Sequence, residues 1–112
     1  MENKMMNQDE KSTLFWDLAK PLMLSKNVEK GTMMGFPCLR TEKGKFFASL
    51  EKNSSDLIIK VPADRVKQLI DDGVALAFAP NGRTFKEWAT IPIPERELWH
   101  DLIVEAFEFA EK

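Results

Sequence analysis

Cys38 is the single cysteine of this 112-residue chain and His100 its single histidine, so together they are the one pair that could supply a thiol nucleophile and an imidazole base. A thiolate attacks carbonyls or disulfides once a base or nearby positive charge lowers its pKa. His100 lies between Trp99 and Asp101 on the polar side of a helical stretch, and no spacing brings it to Cys38. Cys38 is therefore a candidate reactive thiol, with a small residue packed quietly in a strand as the stronger reading. One cysteine, one histidine and scattered carboxylates match no zinc or iron spacing, so the sequence predicts no metal, no cofactor and no catalytic set. Asp71 and Asp72 stand just before Gly73 at a helix end, where solvated charge is the ordinary explanation.

Binding chemistry is better represented. In Ala79–Trp88, APNGRTFKEW, a glycine turn exposes backbone N–H groups, followed by Arg83 and Lys86 with Trp88 on the strand face of Lys86. Such a set could hold an anion or stack a base, although a hairpin tip with solvated charges is the plainer reading. Arg40, Lys43 and Lys45 are further basic residues that could lie nearby. Met33 and Phe36, beside Gly35, suggest a soft apolar contact surface.

The elements that must position these residues can be read from periodicity. Residues 1–8 show no period and are expected to be flexible, leaving 9–112 as one domain. From Asp9 to about Leu24, Leu14, Phe15, Leu18, Ala19 and Leu22 recur at helical spacing, with Pro21 expected to end or bend the helix near Lys20. Thr32–Arg40 and Lys45–Glu51 read as antiparallel strands joined by Thr41–Gly44, with Pro37 placing its strand at an edge or bulge. After the turn at Asn53–Asp56, Leu57–Val61 alternates as a third strand.

Pro62 and Asp64 suit the start of a short helix that stops at Gly73. Ala75–Ala79 and Phe85–Ile91 are then expected as strands, the latter with Phe85, Ala89 and Ile91 on one face and Lys86, Trp88 and Thr90 on the other. A last helix follows Pro92 and Pro94, its buried stripe drawn through Leu98, Leu102, Ala106 and Phe109 and widened by Trp99, Ile103 and Ala110. The expected fold class is α+β: a two-layer domain of order α-β-β-β-α-β-β-α, with a bent antiparallel five-stranded sheet and flanking helices.

Composition narrows the function classes. Sixteen basic against eighteen acidic residues leave a net charge of −2, so no global field draws the chain to nucleic acid or an anionic membrane. No apolar run approaches the roughly 20 residues of a membrane-spanning helix. No signal-peptide core follows the N-terminus, so the cytoplasm is the expected compartment.

Gly31–Arg40, GTMMGFPCLR, and Gly82–Trp88, GRTFKEW, together with Phe46-Phe47-Ala48 and Asp56–Pro62, give a chain that resembles the TfoX N-terminal-domain (Sxy-like) family and, more distantly, the MmcQ/YjbR-like proteins. The resemblance covers nearly the whole chain. It implies a two-layer α+β domain with a bent antiparallel sheet, and neither an established enzyme activity nor a catalytic set. Full-length TfoX proteins regulate natural competence and carry a second, C-terminal domain, whereas the residues here correspond to the first.

The leading expectation is a small non-catalytic binding or regulatory module, acting through protein contact or self-association across a surface around Met33, Phe36 and Trp88. The second is nucleic-acid binding through Arg40, Lys45, Arg83 and Lys86 with stacking on Trp88. A thiol-dependent enzyme built on Cys38 is the third.

Overall fold

In the computed structural model, which describes residues 6–33 and 36–112, the first helix begins where a polar side chain can close its open end. Asn7 accepts from the Glu10 N–H at 2.8 Å, and the Glu10 carboxylate accepts from the Asn7 N–H at 3.0 Å. This reciprocal cap satisfies two of the donors that a helix start leaves unpaired. The helix, α1, runs Gln8–Ser25 and buries Leu14, Phe15, Leu18 and Ala19. Of the stretch expected to be flexible, residues 1–5 lie outside the described residues, while Met6 packs against the core. Pro21 does not end α1 near Lys20. It forfeits one main-chain bond, and the helix continues for a further turn, where the Ser25 hydroxyl donates to the Pro21 carbonyl at 2.7 Å.

The sheet has six strands rather than five. The run read as one strand, Thr32–Arg40, is a hairpin: Glu29–Met33 (β1) pairs with Phe36–Arg40 (β2), Met33 opposite Phe36. Phe46–Leu50 (β3) and Leu57–Lys60 (β4) continue the meander. Helix α2, Ala63–Asp71, then precedes the two-residue strand β5, Leu76–Ala77. Strand β6, Trp88–Ile91, inserts between β4 and β5, giving the antiparallel order β1-β2-β3-β4-β6-β5. Pro37 thus sits in an inner strand; pairing of β2 with β3 begins only at Cys38, so the missing N–H of Pro37 falls outside that paired length.

Phe85 is not in a strand and does not share a face with Ala89 and Ile91; it lies in the loop before β6 and is exposed. The chain closes with α3, Arg96–Glu111, which buries Trp99, Leu102, Ile103, Ala106 and Phe107. The buried stripe is rotated from the expected one, leaving Leu98 and Phe109 half-buried. Arg65 of α2 forms a forked pair with Glu105 of α3, at 2.7 and 3.2 Å, and Lys11 of α1 reaches Asp56 in the β3–β4 turn at 2.7 Å.

Register decides which residues meet the helices. Leu39, Ala48, Ile59 and Ala89 are successive cross-strand neighbours, and all belong to the core shared with α1 and α3. Their alternates, Cys38, Ser49, Ile58 and Thr90, form a parallel row on the other face. One bulge interrupts the pattern. Leu39 faces Ala48 but Arg40 faces Phe46, so Phe47 is the extra residue of β3. Phe47 is fully buried and meets Phe107 of α3 edge to face, ring centroids 5.5 Å apart, while Phe46 is only half-buried.

Truncating these adjacent rings has unequal cost. Phe47→Ala is expected to destabilise the fold by about 3–5 kcal/mol, the range for a buried phenylalanine that leaves a cavity, and Phe46→Ala by much less. Urea unfolding of both variants beside the parent chain checks the order; equal losses would refute the assignment of Phe47 to the core.

Candidate functional site

The face of the sheet away from α1 and α3 carries most of the residues with binding chemistry. Lys60 and Trp88 are direct cross-strand neighbours on β4 and β6, and the Lys60 ammonium stands 6.0 Å from the Trp88 ring centroid. Glu87 approaches the same ammonium at 4.0 Å, both side chains being well exposed, so this pair contributes little. On the other side of Trp88 lies Phe78, with ring centroids 6.3 Å apart, and Phe78 in turn meets Phe85 at 5.9 Å. The Arg83 guanidinium is 5.9 Å from the Phe85 ring. These contacts form a chain of aromatic groups with a cation at each end.

Two clefts open on either side of Trp88. The first, about 460 Å³, lies where β3, β4 and β6 meet the last turn of α3, and its walls are Lys45, Phe46, Lys60, Trp88, Phe109, Ala110 and Lys112. Thr41 positions Lys45. Its N–H donates to the Lys45 carbonyl at 2.9 Å and its hydroxyl accepts from the Lys45 N–H at 3.2 Å, closing a turn in which Gly44 takes the positive φ of 89°. Phe46 is turned to this side by the bulge at Phe47. The second cleft, about 450 Å³, separates α2 from the loop before β6; Ile70, Phe85, Lys86 and Trp88 are among its walls, with Asp64 and Lys67 supplying opposite charges.

The basic residues do not all converge. Arg40 lies on β2, three strand spacings or about 14 Å across the sheet from Trp88. It pairs with Glu29 at 3.0 Å and packs close over Gly31, where an added Cβ would come within 3.4 Å of Arg40 Cδ and 3.2 Å of Phe46 Cε1. Arg83 and Lys86 sit in the loop before β6 rather than on a strand face with Trp88, Lys86 lining the second cleft. Met33 and Phe36 pair across the β1–β2 turn, and their side chains lie outside the described residues. Sequence reasoning missed Lys60 and misplaced Phe109. The alternation of Lys60 with the buried Ile59 was the available signal; for Phe109 there was none, because its half-burial depends on the rotation of α3.

Cys38 has no exposed surface, and it faces away from the helical layer that carries His100. The His100 ring is exposed and lies 3.1 Å from the Asp101 carboxylate. Burial pushes the Cys38 thiol above its ordinary pKa of 9.0, and the opposing effects of the Arg40 charge and the Gly31 backbone are smaller. A buried thiol with a raised pKa is a poor nucleophile at neutral pH. Among the described residues, no group of three or more His, Cys, Asp or Glu side chains could hold a metal ion, and no helix is long and apolar enough to cross a membrane.

The thiol gives a test with a defined sign. Unfolding returns Cys38 toward its ordinary pKa, so its contribution to stability is intact below pH 9.0 and is lost as the pH rises further. The parent chain should lose more stability between pH 7 and pH 10 than Cys38→Ala does, and its thiol should react slowly with iodoacetamide until urea is added. Rapid alkylation of the folded chain at neutral pH would refute the structural role. Comparison with protein-family models, with curated proteins and with solved structures found no match to this chain.

Proposed function

We propose that the chain is a small non-catalytic binding module whose working surface is the side of the sheet around Trp88. The observation that carries this reading is the placement of Trp88, half-buried, as a wall common to two clefts of several hundred Å³. The resemblance to TfoX N-terminal domains, in which no catalytic set is established, points to the same class. The burial of Cys38 and its separation from His100 favour binding over thiol chemistry.

Self-association is the proposed mode of action. Leu76 and Phe85 are exposed apolar side chains at the β5–β6 end of the sheet, and Ile70 of α2 borders the same cleft as Phe85. At the other end, β1 is a strand of five residues that has, among the described residues, a neighbour on one side only. Apolar patches and unpaired strand edges of this kind are commonly covered in an assembly.

Light scattering over a wide concentration range tests this. The mean mass is expected to rise toward twice that of the monomer, and less so in Phe85→Ser, whose ring is exposed and whose loss should leave the fold intact. A mass that stays monomeric at the highest concentration would remove self-association as the mode of action.

A further inference from the structure

Lys45 and Lys60 line one largely apolar cleft in a chain of net charge −2. Phe46, Trp88 and Phe109 line it with them, and among the described residues no Asp or Glu belongs to the lining. Among the described residues Lys45 makes no ion pair, and Lys60 has only the long, exposed contact with Glu87. Like charges gathered at one mouth repel, a cost that water reduces and a bound anion would remove. The floor adds a second requirement. Three aromatic residues in the lining, Phe46, Trp88 and Phe109, favour a flat apolar body.

We propose that this cleft binds a small molecule consisting of a flat ring system that carries one anionic group, either the phosphate of a mononucleotide or the carboxylate of an aromatic acid. The ring packs against Phe46, Phe109 and Trp88, and the anion takes charge-assisted hydrogen bonds from Lys45 and Lys60. At about 460 Å³ the cleft lies within the range of small-molecule sites. The last turn of α3 supplies one wall, favouring a compact ligand over a polynucleotide, which needs a groove along which to run. This proposal rests on the reading of the Trp88 side of the sheet as the working surface, and adds to it the class of ligand.

Calorimetric titration of the full chain with adenosine 5′-monophosphate and, separately, with 1-naphthoate distinguishes the two sources of the anion. At least one is expected to bind with Kd below about 1 mM, with adenosine and inorganic phosphate each at least about tenfold weaker. Lys60→Met and Lys45→Met, both surface changes, should each weaken binding at least about threefold while leaving the circular dichroism spectrum unchanged. Adenosine binding as tightly as its monophosphate, or affinity unchanged in both lysine variants, would overturn the role of the cations. Tighter, steeply salt-dependent binding of oligo(dT) would overturn the small-molecule assignment and make this a nucleic-acid surface. Failure of both aromatic anions to bind at millimolar concentration would overturn the ligand class, and self-association that is lost in Phe85→Ser would then show that the wider binding-module reading still stands.

Discussion

Two residues of β3 face one residue of β2 at the bulge, and this local mismatch separates the core from the candidate site. An unbroken ladder would send Phe46 and Phe47 to faces opposite those they occupy, taking the Phe47 ring away from Phe107. With Phe47 unpaired, its ring enters the core against Phe107 while Phe46 turns to the side of Lys60 and Trp88. The extra residue therefore costs one regular cross-strand pair and supplies both a core anchor and a wall of the cleft. Thr41, almost fully buried, holds the adjoining turn in place through its hydroxyl and so fixes where Lys45 leaves the sheet.

On the far side of the sheet from the helices, small residues occupy the middle row. Gly31, Cys38 and Ser49 follow one another across β1, β2 and β3. The Ser49 hydroxyl donates to the Pro37 carbonyl at 2.6 Å, satisfying a buried polar group and supplying that carbonyl with a partner. Cys38 belongs to this row as a compact filler. Its burial desolvates the thiol and keeps the proton on sulfur, while beside it a Cβ at Gly31 would press on Phe46 and Arg40.

Some of this was legible before the fold. Leu14, Phe15, Leu18 and Ala19 mark the buried side of α1 and are buried as their period requires; Leu57 and Ile59 of β4 are buried too, but so is Ile58 on the opposite face, so in that strand alternation shows only at Lys60. The glycine turn at Gly44 was legible because positive φ is costly for other residues. The β1–β2 hairpin was not, since Thr32–Arg40 reads as a largely apolar run in which Gly35 is the one glycine. Phe107 was overlooked because α3 carries apolar residues around much of its circumference, and a broad stripe does not specify its own centre. The basic and aromatic residues stand out by type, but that set is too wide, since Arg40 is engaged with Glu29 at a distance from Trp88, and it omits Lys60.

The sequence by itself determined the α+β class, the antiparallel pairing of neighbouring strands and the presence of a single cysteine and a single histidine, because periodicity, turn residues and residue type are local properties of the chain. Tertiary structure alone decided the order in which β6 enters between β4 and β5, and with it the meeting of Lys60 and Trp88, residues 28 positions apart in the sequence. It also decided that Lys45 and the last turn of α3 close over the same cleft. Those placements depend on long-range register and on the rotation of one helix against the sheet. Both are set by packing between segments distant in sequence, where a shift of one residue exchanges the buried and exposed faces of a strand.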